Sequence, residues 1–260
     1  MQEAESHTQL LAENLKQKGI KAVLFDLDDT ILDTNNLFSF WIHAFVSGVV
    51  EKNPNLDWRE VMDKFTEINN EAFKTLSVDT KKLAFVAQKM DSFFGTHPMF
   101  SRHGDVVGQI YKNSPKILPG ARETLEAFKE TGIPMALVTH ANVKWTNRKV
   151  EDRDLKRYFT HIEVVNEKRF KGSEDWLNAI NILGVKPQEV LVIGDNLQGD
   201  INSARSIGVK NLVWIESIWS VYRQGIVPEG ITKVKKIGDV IGALIAKPLC
   251  FSFQNQGQVV

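Results

Sequence analysis

Carboxylates, a threonine and a lysine recur where short apolar runs stop. Asp26, Asp28, Asp29 and Thr30 close the run KAVLFDL at 21–27, Thr139 closes PMALVT at 134–139, and Lys171 follows an apolar run at 161–165. Asp195 and Asp200 lie in GDNLQGD directly after the run 190–194. Any one of these groups is weak evidence, because Asp is favoured wherever a chain turns out of a strand, and Asp29 and Asp33 are read in that way. Taken together, four chain ends each offer a group suited to phosphate or metal. Hard carboxylate oxygens suit Mg²⁺. A hydroxyl and an ammonium suit the oxygens of a phosphoryl group, where charge spreads during transfer.

The elements that must position these groups follow from periodicity. Short runs rich in Val, Leu, Ile and Phe at 21–27, 134–139, 161–165, 190–194 and 211–215 read as buried parallel strands. Helical patterns at 121–130, 174–183 and 201–207 alternate with them, each closed by a glycine at 132, 184 or 208. Such alternation implies βαβ units and an α/β, doubly wound parallel sheet, in which ligands bind at the carboxyl ends of strands. From Asn36 to about Ser114 only helical periodicity appears, with Trp58, Val61, Met62 and Phe65 on one face and Leu83, Val86, Ala87 and Met90 on another. This stretch reads as an α-helical insertion after the first strand. The expected division is 1–34 and 116–260 for the α/β core and 35–115 for the helical insertion.

Composition bounds the partners. The 260 residues carry 32 Lys plus Arg against 32 Asp plus Glu, so no basic surplus advertises a nucleic acid. With 43% hydrophobic and 25% charged residues the chain has the make-up of a globular protein. The lysines at 233, 235 and 236 read as a solvated helix or strand edge. Residues 1–19 read as an amphipathic helix rather than a targeting segment. The longest apolar-leaning run, 37–50, is broken by Ser39, His43, Ser47 and Gly48 and is shorter than the roughly 18 to 20 residues of a membrane span. One cysteine, Cys250, fits a reducing compartment, and a cytoplasmic, non-membrane location is expected. The sequence leaves the oligomeric state open.

In order and spacing, the D-x-D-D-T-x-x-D run at 26–33, Thr139, Lys171 and the G-D-x-x-x-x-D run at 194–200 resemble the four motifs of the haloacid dehalogenase superfamily, specifically its Mg²⁺-dependent phosphatases. The helical insertion is similar to that family's C1 cap. Lys171 is preferred over Lys168 and Arg169 because it stands just before the helix starting near Ser173, as the family's lysine does. Phosphoryl transfer at this set assigns Asp26 as nucleophile, forming an aspartyl-phosphate, and Asp28 as the acid and then the base. Asp26, the Asp28 carbonyl and Asp195 would hold Mg²⁺. Asp200 is expected at the metal or, more naturally, orienting its shell or Lys171. Thr139 and Lys171 would bind the phosphoryl oxygens.

The chain departs from the family pattern in having His140 after Thr139 and Gly172 after Lys171. His140 is a candidate substrate contact or a packed loop histidine. Asp28 speaks against dehalogenation and phosphonate hydrolysis, since the family's dehalogenases lack a carboxylate there. In the cap, Leu37, Phe38, Phe40 and Trp41 could wall a substrate site or simply be core. His97 and His103 have no partner at metal-binding spacing. Trp219, Tyr222 and Arg223 could approach the leaving group. The expected activity is hydrolysis of a small phosphorylated metabolite. A phosphomutase would use the same residues, a receiver-type signalling domain would lack the cap and the D-x-D spacing, and a silent binding protein would not need every catalytic residue type.

Overall fold

In the computed structural model the described residues are 2–96, 98–165, 169–217 and 219–246, and the side chains of residues 2–6, 220 and 221 are left aside. His97, Lys168, Cys250 and the tail from Pro248 lie outside the described residues. The chain opens with helix α1 (Gln2–Gln17) and strand β1 (Ala22–Phe25). Helices α2 (Thr34–Val50), α3 (Trp58–Leu76), α4 (Lys82–Phe94), α5 (Met99–Arg102) and α6 (Gly104–Gly108) follow, with no strand among them. Strands and helices then alternate: α7 (Ala121–Glu130), β2 (Met135–His140), α8 (Val143–Asp152), β3 (His161–Val165), α9 (Ser173–Ile182) and β4 (Val190–Gly194). The series closes with α10 (Ser203–Ser206), β5 (Asn211–Ile215), β6 (Thr232–Val234) and α11 (Val240–Ile245).

All six strands are parallel, in the order β3-β2-β1-β4-β5-β6, which is the doubly wound α/β sheet expected. The first strand sits inside the sheet, between β2 and β4. Its side chains alternate between two cores: Val23 and Phe25 join Leu11, Leu125 and Phe128 on one face, while Ala22 and Leu24 join Trp176 and Ile180 on the other. Burial on both faces explains why these strands are uniformly apolar rather than alternating.

The helices between β1 and β2 enclose a third core, which includes Phe45, Val61, Phe65, Val86, Met90 and Phe100. Local polar groups fix their ends. Asp33 accepts from Asn36 N–H at the start of α2, Asp57 accepts from Arg59 and Glu60 N–H at the start of α3, and Gly95 ends α4 with a left-handed φ of 63°. Buried Asp91 accepts from the N–H groups of Phe100 and Ser101 and so ties α4 to α5. Trp145 of α8 joins this third core, although its helix belongs to the sheet.

Two features differ from the sequence expectation. Strand β1 stops at Phe25 because residues 27–32 fold back on themselves, with Ile31 and Leu32 N–H donating to the Leu27 carbonyl. The helix expected over 201–207 is a wide π-type turn over Leu197–Asn202 followed by α10, because Asn196 draws the Gln198 and Gly199 N–H groups onto its side chain. The lysine-rich segment near 233 supplies the edge strand β6, in keeping with the solvated edge expected there, and charge on an edge discourages pairing with another chain. Among the described residues, no helix is long and apolar enough to cross a membrane.

Candidate active site

The carboxyl ends of β1, β2 and β4 and the loop before α9 converge on one point. Lys171 Nζ lies 2.5 Å from Asp26 Oδ1 and 2.6 Å from Asp200 Oδ1, and it also donates to the Val138 carbonyl at 3.1 Å. Asp26, Asp195 and Asp200 are buried and each offers an oxygen within 4.8 Å of the others. Burial pushes the Asp26 carboxyl upward, Lys171 opposes this, and Asp200 pushes it further up. Asp195 is driven well above the carboxylate range by burial and by Asp26 and Asp200. Lys171 is held above its ordinary value: burial would lower it, but the Asp200 and Asp26 carboxylates outweigh that cost.

Three buried oxygens of this cluster make no hydrogen bond, Thr139 Oγ1, Asp195 Oδ2 and Asp200 Oδ1, and of these only Asp200 Oδ1 has an ion-pair partner, Lys171. Unpartnered buried oxygens cost free energy unless a ligand satisfies them. Three dehydrated carboxylates with hard oxygen donors and a single lysine fit a divalent cation. Asp200 has a partner on either side, since its Oδ1 pairs with Lys171 and its Oδ2 accepts from Asn196 N–H at 3.0 Å. Both Asp200 oxygens are thus engaged, one by the Lys171 ammonium and one by the loop backbone.

Neighbouring residues set these positions. Gly194 closes β4 with no side chain, and any Cβ there would overlap the Asp200 carboxylate. Indole N–H groups anchor the loop between them: Trp214 Nε1 donates to the Asp195 carbonyl and Trp176 Nε1 to the Gly199 carbonyl, each at 2.8 Å. Lys171 precedes α9 because Asp175 accepts from Gly172 N–H, which starts the helix there. Arg169 is occupied with Asp175 and Glu174, away from the carboxylate cluster, so Lys171 alone of these two reaches Asp26.

Asp28 does not share the Asp26 cluster. Its carboxylate accepts from Thr34 Oγ1 at 2.5 Å and receives both oxygens' worth of contact from Lys149 Nζ, at 2.7 Å each. Lys149 is wholly buried, and its ammonium lies 4.0 Å from the Trp145 ring centroid. Neither Lys149 nor Thr34 is singled out by sequence spacing. Lys149 sits on α8 ten residues beyond Thr139, and on a helical wheel it is one more polar position.

Asp29 adopts φ 58°, a left-handed conformation that Asp tolerates better than most residues. It accepts from Asn35 N–H and from Trp219 Nε1 at 2.7 Å, which draws the loop after β5 to the site; burial pushes its carboxyl up to about 6. A cavity of about 230 Å³ opens beside Asp28 and Asp29, walled by Phe38, Ile42, Phe65 and Trp145 and also lined by His140, Trp219 and Tyr222. Leu37 and Trp41 pack against the cap core, Phe40 is exposed, and none of the three lines the cavity. Arg223 is exposed, while His103 pairs with Lys52 and the Met99 carbonyl.

His140 faces Ser77 of the cap at 3.3 Å and Phe170 at 6.1 Å between ring centroids. Burial first, and the Lys171 charge second, push its pKa down to about 4 from an ordinary 6.5. The unfolded chain therefore binds this proton more readily than the folded one. The associated stability is complete above pH 6.5 and falls as pH drops toward 4. A His140→Gln variant is expected to lose about 3 kcal/mol of the acid-side decline, read from urea melts at pH 7, 5.5 and 4.

The model of haloacid dehalogenase-like hydrolases matches residues 23–214. The chain belongs to this family. It is 24% identical over 205 residues to a glyceraldehyde 3-phosphate phosphatase of Pyrococcus furiosus, covering 76% of this chain and 82% of that one. Similarity to the pyrophosphatase PpaX of Halalkalibacterium halodurans is 26% over 198 residues, covering 75% and 83%. The solved structure of YfnB from Bacillus subtilis, bound to magnesium, superposes with a TM-score of 0.66 at 17% identity over 86% of this chain and 98% of that one. This haloacid dehalogenase-like hydrolase thus shares its fold with a magnesium-bound relative, and the strand ends described above fall within the matched residues.

Proposed function

We propose that the protein is a Mg²⁺-dependent phosphatase of small phosphorylated metabolites, working through an aspartyl-phosphate, with residues 35–115 as the cap over the site. One observation carries this reading: Lys171 bridges Asp26 and Asp200 where Thr139 Oγ1 and Asp195 Oδ2 are buried without a partner. That is a nucleophile with phosphate donors on one side and free hard oxygens on the other. The phosphatase names of the relatives support the same class, as does the magnesium in YfnB. A cytoplasmic location belongs to this reading.

Asp26 attacks phosphorus in line, and the bond from phosphorus to the ester oxygen breaks. Lys171 and Thr139 hold the equatorial oxygens as charge spreads over them. The Asp28–Lys149 pair gives a proton to the leaving alkoxide through Asp28, and takes one back from the water that releases Asp26 from the phosphoryl group. Lys149 and Thr34 fix the Asp28 carboxylate, which lines the cavity. Mg²⁺ bound by Asp26, the Asp28 carbonyl and Asp195 would neutralise charge between the carboxylates and the phosphate. Release of phosphate from a panel of phosphomonoesters is expected with Mg²⁺ and is expected to fall to background with EDTA. An isomeric sugar phosphate in place of free phosphate would instead mark a mutase, and equal rates with and without EDTA would contradict the reading.

A further inference from the structure

Lys82, Lys149 and Lys171 are the buried lysines among the described residues, each no more than 7% exposed. Two of them are matched by carboxylates, Lys149 by Asp28 and Lys171 by Asp26 and Asp200. Lys82 is not. At the start of α4 its backbone N–H donates to the Asp79 carbonyl, but its ammonium makes no ion pair or hydrogen bond among the described residues and faces the Phe73 ring, 5.0 Å from the centroid. A dehydrated ammonium is strongly unfavourable without a counter-charge. Lys82 lines the cavity that also reaches Asp28 and His140. Asn69 of α3 lines it too, and its side-chain Oδ1 is buried without a hydrogen-bond partner. Packing of the helical insertion does not account for an unpaired ammonium and an unpartnered amide oxygen lining one cavity, beside Met62, Phe65 and Phe73.

We propose that Lys82 and Asn69 form a subsite for a second anionic group, a carboxylate or a second phosphate, carried by the substrate whose phosphoryl group is cleaved at Asp26. The proposal rests on the phosphatase reading and narrows its substrate class. An ammonium supplies up to three donors to such an anion, and the Asn69 amide can turn its Nδ2 toward it. Burial pushes the Lys82 ammonium down to about 8, and an anion beside it would raise that value again. A substrate ending in a neutral group would leave the lysine dehydrated and unpaired, so the cavity discriminates against it. Its volume of about 230 Å³ lies below the roughly 300–1,000 Å³ of sites for drug-sized ligands, which suits a compact molecule with anions at both ends.

Calorimetry with non-hydrolysed probes tests the subsite without turnover. The full chain with Mg²⁺ at pH 7 is titrated with propylphosphonate, 3-phosphonopropanoate and ethane-1,2-diphosphonate, which share a phosphonate and differ at the far end. The wild-type protein is expected to bind one or both doubly anionic probes about 10- to 100-fold more tightly than propylphosphonate. Whichever is tighter identifies the anion. That preference is expected to vanish in Lys82→Met and to return in Lys82→Arg. Equal affinities in the wild type, no binding of any probe, or an undiminished preference in Lys82→Met would overturn the proposal. A retained preference together with no phosphate release from any ester would overturn the phosphatase reading and leave the anion subsite standing.

Discussion

Asp26→Asn is expected to abolish phosphate release, by a factor of about 10⁴ or more, while the protein stays folded. An amide oxygen is too poor a nucleophile to displace an alkoxide from phosphorus. The substitution preserves shape, and the amide carbonyl can still accept from Lys171, which keeps Asp200 at 2.6 Å as its counter-charge. Fold and chemistry therefore separate cleanly at this position. Colorimetric phosphate release and a thermal melt, run on the same preparation, check both halves. Loss of activity accompanied by a collapsed melt would mean that Asp26 matters chiefly to structure, and retained activity would remove it as the nucleophile. A radiolabelled phosphodonor should leave label on the wild-type chain and none on the variant.

Asp28→Asn should behave differently, because its partner is Lys149. The Lys149 side chain has no exposure, whereas the Asp28 side chain keeps 23%. Removing the carboxylate strands a buried cation, and a cost of about 3 kcal/mol follows. Loss of the proton shuttle lowers kcat by about 10²- to 10⁴-fold at the same time. Lys149→Met leaves a partly hydrated carboxylate that still accepts from Thr34, so it should cost less stability than Asp28→Asn. The double variant Asp28→Asn with Lys149→Met should regain most of the lost stability and none of the activity. Denaturant titrations of the four proteins give the coupling directly, and additivity of the two single effects would refute the buried pairing.

The sheet was legible in the sequence because each parallel strand is buried on both faces and so announces itself as an unbroken apolar run. Asp26, Thr139, Lys171, Asp195 and Asp200 were legible for a related reason: they sit where those runs stop, and strand ends are where such a sheet keeps its ligands. What escaped was set by contacts between distant parts of the chain. Lys149 meets Asp28 across 121 residues, and Trp219 meets Asp29 across 190. No spacing rule reaches that far. Asp28 shows the limit most clearly, since strand alternation would have put its side chain beside that of Asp26, and the turn after Phe25 sends it instead toward α8. Lys82 was hidden for another reason, as a lysine opening an amphipathic helix reads as solvated until its neighbours are known.

The indoles give the molecule a built-in optical probe. Of the six tryptophans, Trp214 and Trp176 hold the Asp195 to Gly199 loop, Trp219 holds Asp29, and Trp145 lies under the Lys149 ammonium. Only Trp41 and Trp58 belong to the helical insertion alone. Intrinsic emission is thus weighted toward the reacting centre, and a shift in its intensity or wavelength reports events there before any label is attached.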